Sequence, residues 1–260
     1  LKATLDETVA AVFIQNPTYF GNFEEQGQQI AEMTHAVGAQ LIVYADPSSL
    51  GVIAPPASYG ADIVCGDIQP LGMHMSYGAG LGGYLATKLA PEYVLNYPHH
   101  LYGIFENEAG ERGYFRSLPE RTSYYRREAG VEFLGTCVGL WAITAAVYLS
   151  VMGPKGMEEL AYNILLKSNY AKKRLSMVPK VRLLFQSGTP FKEFILNFDD
   201  SGLDVAQINQ RLLEEFNIFG GYDLSLEHPQ LGRSALYCVT EKTSQEQIDR
   251  LCSALGTILA

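Results

Sequence analysis

The sequence predicts an α/β protein, with a parallel sheet covered by helices and a smaller α+β unit after it. Three observations carry that expectation. Two short apolar runs flank a helical pattern near the start, as in a strand–helix–strand crossover. A third apolar run follows soon after. Beyond Gly153-Pro154 the pattern changes to amphipathic helices interleaved with short strands.

Residues 9–16, VAAVFIQN, form a continuous apolar run ending at Asn16-Pro17, as a buried parallel strand does. Residues 23–37 have helical spacing, with Ile30, Met33, Ala36 and Val37 on one side and Gly38 placed to end the helix. Residues 41–44, LIVY, are a second strand ending at Asp46-Pro47, and residues 61–65, ADIVC, a third. Residues 74–77 and 83–87 are expected to pair as a hairpin around GAGLG. The polar stretch 91–131 holds a second hairpin turning at 108–110. A long helix is expected over 124–152, stopped by Gly153-Pro154, then an amphipathic helix over 156–175. Strands at 181–185, 193–198 and 235–240 and helices at 205–216 and 245–259 complete the chain. The last helix is opened by Ser244 with Glu246 and Gln247 in its first turn.

The chain has 260 residues, 47% hydrophobic and 18% charged, which is the balance of a globular protein with a sizeable core. A net charge of −9 without a long basic run argues against a nucleic-acid partner. Cys65, Cys137, Cys238 and Cys252 show no CxxC spacing and no histidine at ligand distance, so no metal is expected. Free thiols in apolar stretches point to a reducing, cytoplasmic setting. Residues 134–153 carry no charge, and about 20 such residues would cross a bilayer. Their Gly, Thr, Ala and Ser content fits a helix buried on all sides instead, and no membrane partner is expected. The chain opens without Met or signal peptide and enters a strand almost at once, as a piece of a longer protein would.

Several short motifs carry two readings each. GAGLGG at 78–83 matches G-x-G-x-x-G, but Pro91 arrives too soon for the crossover helix that dinucleotide binding requires, leaving a glycine-rich turn. Asp46 ends a parallel strand, where open α/β sheets place ligand groups; the same residue before PSSLG also suits an Asx turn. His74 and Tyr77 lie near the same edge, as acid–base or stacking groups or as structural residues. Arg126 and Arg127 would hold an anion or simply solvate a helix end. His99-His100 has no third ligand in view, and no Ser–His–Asp or Cys–His order is legible.

Read together, GADIVCGDIQPLGMHMSYGAGLGGYLAT, GIFENEAGERGYFRSL, YYRREAG and AAVYLSVMGPKGMEELA resemble the glycine decarboxylase P-protein of the glycine cleavage system. The resemblance is nearest to the alpha subunit (subunit 1) of the form split into two chains. It is strongest over 60–88 and 110–160. It implies the PLP-dependent aminotransferase-like (type I) fold. Residues 1–153 would be the C-terminal part of the large domain with its connecting helix, and 154–260 the small C-terminal α+β domain.

In that family a lysine holds pyridoxal phosphate (PLP), because an amine must be exchanged for the substrate's amine. Aligning ADIVC and the glycine-rich stretch with the lysine-bearing beta subunit puts Gln69 at the lysine position, and an amide forms no Schiff base. The resemblance therefore implies no catalytic residue on this chain, with PLP on the partner beta subunit and not covalently here. Asp46 becomes the counterpart of the aspartate that pairs with the pyridine nitrogen, with His74 as a second cofactor-binding candidate. Gly78, Gly80, Arg126 and Arg127 become interface candidates. The heterotetrameric assembly would decarboxylate glycine and pass the aminomethyl group to lipoyl H-protein. One departure stands out: after Glu128 the family usually reads KATSNICTNQ, whereas this chain reads AGVEFLGTCVG. The competing readings are a divergent paralogue acting as a binding or scaffold protein, and an independent PLP enzyme using Lys88 or Lys155, neither of which follows the third strand.

Overall fold

The computed structural model describes residues 1–75, 82–97, 101–117, 122–123, 125–130 and 138–260. Strand β1 (Ala11–Asn16), helix α1 (Gly27–Ala36) and strand β2 (Gln40–Ala45) form the expected crossover, with β1 and β2 parallel from Ala11↔Gln40 to Asn16↔Ala45. The apolar pattern explains the packing. Val12, Leu41 and Val43 turn to one face and pack against Ile30 and Ala31 of α1. Phe13, on the opposite face, is 61% exposed, so the helix covers one side of β1 only. Gly38 closes α1 at φ 78°, a left-handed angle that glycine adopts without a Cβ penalty.

Strand β3 (Ile63–Asp67) adds parallel to β2, and β4 (Gly83–Thr87) adds antiparallel to β3, giving the order β1-β2-β3-β4. The expected partner of 83–87, residues 74–77, lies partly outside the described residues, and the partner that the described residues show is β3. β3 presents five residues of unpaired backbone at its outer edge, and β4 satisfies them. His74 and Met75 are not in a strand, and Tyr77 lies outside the described residues. After one helical turn, α2 (Pro91–Val94), strands β5 (Leu101–Glu106) and β6 (Arg112–Ser117) form the predicted hairpin. Asn107 holds its turn, accepting from the Ala109 and Glu111 amides at 3.0 and 2.9 Å.

Helix α3 (Gly139–Leu175) begins later than the expected 124. Residues 127–129 form a single tight turn instead, and Gly130 leaves it extended at φ −63°, ψ 130°, so no helix runs through it. The predicted stop survives as a kink: Gly153 sits at φ 61°, ψ −179° ahead of Pro154, and the helix resumes beyond. No helix among the described residues is long and apolar enough to cross a membrane.

The second sheet is wholly antiparallel. Its strands are β7 (Arg182–Leu183), β8 (Glu193–Asn197), β9 (Tyr222–Asp223) and β10 (Ser234–Cys238), in the order β7-β8-β10-β9. The expected strand at 181–185 is shorter because Phe185 turns away at φ 51°. Helices α4 (Val205–Phe216) and α5 (Gln245–Ile258), with the end of α3, bury Leu175, Phe194, Leu196, Ile208, Leu212 and Leu255 against this sheet.

The two sheets meet through a short backbone splice. The Phe191 amide donates to the Gly21 carbonyl at 2.8 Å, and the Phe23 amide to the Thr189 carbonyl at 2.8 Å. A Cβ on Gly21 would lie 1.9 Å from the Glu193 carbonyl oxygen, so only glycine permits this approach. Phe191, with no exposure, packs on Phe23 and anchors the splice.

Candidate functional site

The splice carries Lys192 and Glu193 to the C-terminal ends of β1, β2 and β3. A cavity of about 250 Å³ opens there, lined by Gln15, Tyr44, Asp46, Asp67, Gln69 and Lys192 among others. Parallel strands converge their C-terminal ends on such a place, which is why open sheets put ligands there.

Asp46 leaves β2 and folds into an Asx turn. Its Oδ1 accepts from the Ser48 amide at 2.9 Å and the Ser48 hydroxyl at 2.6 Å. Its Oδ2 is ion-paired with Lys192 Nζ; the two side chains are only 12% and 18% exposed. Burial by itself pulls the Lys192 ammonium down, but the carboxylates of Asp46 and Glu193 outweigh it, so the lysine is held above its ordinary value and stays protonated. Burial raises the neighbouring Glu193 carboxyl, with Lys192 only partly opposing it.

Asp67 ends β3 and is also engaged. Its Oδ2 accepts from the Tyr44 hydroxyl at 2.5 Å and its Oδ1 from the Gln69 amide at 3.0 Å. Burial, with the Asp67 hydrogen bond and charge, raises the Tyr44 hydroxyl strongly, so it remains a neutral donor. Tyr84 donates to the Ala45 carbonyl at 2.7 Å; burial, with Asp46 adding to it, pushes its hydroxyl up to about 12. Gly66 sits beneath this ring, where a Cβ would meet the Ala45 oxygen at 2.4 Å and Tyr84 Cε1 at 2.5 Å.

Gln69 stands in the turn after β3, with its side chain directed back into the loop. Its Nε2 donates to the Met73 carbonyl at 3.2 Å. Of the other sequence candidates, His74 is exposed and does not line the cavity. Arg126 and Arg127 are exposed at the tight turn before Gly130, also away from the cavity. Gly78, Gly80, His99 and His100 lie outside the described residues. Among the described residues no cluster of three His, Cys, Asp or Glu side chains is arranged to hold a metal. Lys192, Glu193, Tyr44 and Asp67 escaped the sequence reading. The one available signal was a charged pair, Lys192-Glu193, set between Phe191 and Phe194.

The family model for the glycine cleavage system P-protein matches residues 1–255. The chain belongs to the glycine cleavage system P-protein family. Within it, the chain is 37% identical over 259 residues to the probable glycine dehydrogenase (decarboxylating) subunit 1 of Staphylothermus marinus, covering all of this chain and 55% of that one. It is 39% identical over 254 residues to the corresponding subunit 1 of Desulforamulus reducens, covering 98% of this chain and again 55% of the relative. The chain thus spans about half the length of the curated relatives it matches. A crystal structure of the P-protein glycine decarboxylase in inhibitor-bound form superposes with a TM-score of 0.86 at 33% identity, over 98% of this chain and 56% of that one. Alanine–glyoxylate aminotransferase from Nostoc sp. shares the fold at a TM-score of 0.64 and 17% identity, over 96% of this chain and 62% of that one. The PLP-dependent aminotransferase-like fold expected from the sequence is therefore present, in part.

That fold implies PLP, a cofactor with two main needs. A covalently held PLP needs a free amine for its aldehyde and an accessible carboxylate for its ring nitrogen. Among the described residues lining the cavity, Lys192 is the one amine, and it is protonated and paired with Asp46. The Asp46 carboxylate is in turn spent on Lys192 and Ser48. This donor set does not fit a covalently bound PLP.

Proposed function

We propose that this chain is part of the non-lysine-bearing subunit of a two-chain glycine decarboxylase. The complete assembly decarboxylates glycine and passes the aminomethyl group to lipoyl H-protein. The partner subunit carries the PLP, and this subunit shapes the assembly around it. The observation that carries the reading is Gln69, an amide in the turn after β3 whose side chain is tied to Met73. Similarity to proteins named subunit 1 supports it.

In this reading residues 1–153 are the C-terminal part of a large domain and 154–260 a small domain; the kink at Gly153 supports that division. Asp46 is a retained counterpart of the pyridine-pairing aspartate. Arg126 and Arg127, exposed before Gly130, and the stretch holding Gly78 and Gly80 are assigned to the subunit contact. Leu140, Ile143, Val147 and Val151 form an exposed apolar stripe on α3, a surface of the kind that marks protein contacts. Cytoplasmic residence belongs to the same reading, supported by Cys65, Cys238 and Cys252 being free.

The test is coexpression of the full-length protein with its lysine-bearing partner. A stable complex is expected, with glycine decarboxylation that neither chain shows alone. Visible absorbance of the isolated protein with PLP, before and after borohydride, should show no stoichiometric fixed adduct. A fixed adduct on this chain, or full activity of the partner without it, overturns the proposal.

A further inference from the structure

Both oxygens of Asp46 are already used, and the second user is unusual. Ser48 takes Oδ1 locally, but Oδ2 is taken by a lysine delivered from the other sheet. Lys192 is held by its backbone rather than hanging from the surface. The preceding residue, Phe191, is fully buried and hydrogen-bonded to Gly21, and the Lys192 carbonyl accepts from the Val239 amide at 2.9 Å. Asp46 pairs directly with this ammonium, and the charge of the neighbouring Glu193 adds to the field that keeps it protonated. Of the other two carboxylates lining the cavity, Asp67 is occupied by Tyr44 and the Gln69 backbone amide, and Glu193 faces the Cys238 thiol at 3.7 Å.

We propose that Lys192 is a built-in counter-ion that fills the place of a protonated ring nitrogen at Asp46 and so excludes pyridinium-type ligands from this cavity. The inference rests on the reading that this chain holds no PLP covalently, and adds a second barrier independent of Gln69. A carboxylate oxygen already bonded to one cation gains little from a second, because the two cations repel at that distance. Restoring an amine at position 69 alone would therefore not restore cofactor binding, since the ring nitrogen would still meet Lys192.

The probe is pyridoxamine phosphate, which has the pyridine ring and no aldehyde, titrated calorimetrically into the full-length protein. Lys192→Met should bind it about ten- to a hundredfold tighter than the wild type, the worth of one freed charge-assisted hydrogen bond. Lys192→Arg, which keeps the cation, should bind as weakly as the wild type. Adding Asp46→Asn to Lys192→Met should abolish the gain. Equal binding by wild type and Lys192→Met, or a gain that survives Asp46→Asn, overturns the proposal.

If circular dichroism shows that Lys192→Met does not fold, a second measurement decides. PLP with borohydride, followed by peptide mass mapping, should leave Lys192 unmodified in the wild type and label it in Asp46→Asn, where the half-buried amine has lost its ion-pair partner and gives up its proton more easily with Glu193 alone beside it. Labelling of Lys192 in the wild type, or none in Asp46→Asn, overturns the inference. A stoichiometric adduct on a different lysine of the wild type would sink the non-lysine-bearing reading and this inference with it, whereas the pyridoxamine phosphate titrations fail this inference alone.

Discussion

Asp62 is 3% exposed, yet three donors converge on its carboxylate. Lys88 Nζ lies 2.6 Å from Oδ1, while Oδ2 meets the Leu41 amide at 2.8 Å and His35 Nε2 at 2.7 Å. Burial alone would raise this carboxyl, but Lys88, Leu41 and His35 together hold it below its ordinary value. The sign follows from linkage. A carboxyl depressed in the folded state contributes stability that is complete above the unfolded value, about 3.9, and is lost as pH falls through the folded one. Denaturant titrations across the acid range should show that loss in the wild type and a flatter acid limb in Asp62→Asn. An identical limb would refute it. Gly66 makes a second prediction at this scale. Gly66→Ala forces a methyl against the Ala45 carbonyl and the Tyr84 ring, and should cost about 1–3 kcal/mol by chemical unfolding.

Among the elements, α5 and α3 differ in what holds their ends. Ser244 caps α5 reciprocally with Gln247: its hydroxyl accepts the Gln247 amide at 3.2 Å while its own amide donates to the Gln247 side chain at 2.9 Å. Ser244→Ala should destabilise the protein by about 1 kcal/mol, read as a shift in the denaturant midpoint. The kink in α3 depends on backbone rather than on a cap. Gly153 occupies a region that side-chain-bearing residues scarcely enter, although its surroundings leave room for a Cβ. Gly153→Ala should therefore cost about 1–3 kcal/mol through strain alone, with Pro154 preventing relaxation to a straight helix. A neutral result would mean that the kink is dispensable.

For the molecule as a whole, the splice at Gly21 and Phe191 couples the two sheets and sets Lys192 against Asp46. Gly21→Ala should uncouple them, because φ is 94° and the added methyl collides with the Glu193 backbone. Calorimetry should then show two unfolding transitions in place of one; a single transition at unchanged temperature would count against the coupling. Much of this architecture was legible beforehand. The parallel pair β1 and β2, the α1 stop at Gly38, the 108–110 turn, the break at Gly153 and the Ser244 start are each encoded within a few neighbouring residues. Periodicity, capping chemistry and glycine or proline geometry act over that short range. The pairing of β4 with β3 and the start of α3 were not legible, because edge pairing and the extended conformation at Gly130 depend on what else the chain packs nearby. So did the site. Asp46 could be placed at a strand end from sequence, the family could be recognised from linked motifs, and alignment to it singled out Gln69. That Asp46 is closed by Lys192 was decided only in the tertiary structure. No local pattern joins those two residues, and the contact exists because Phe191 must be buried and Gly21 lets the backbones approach.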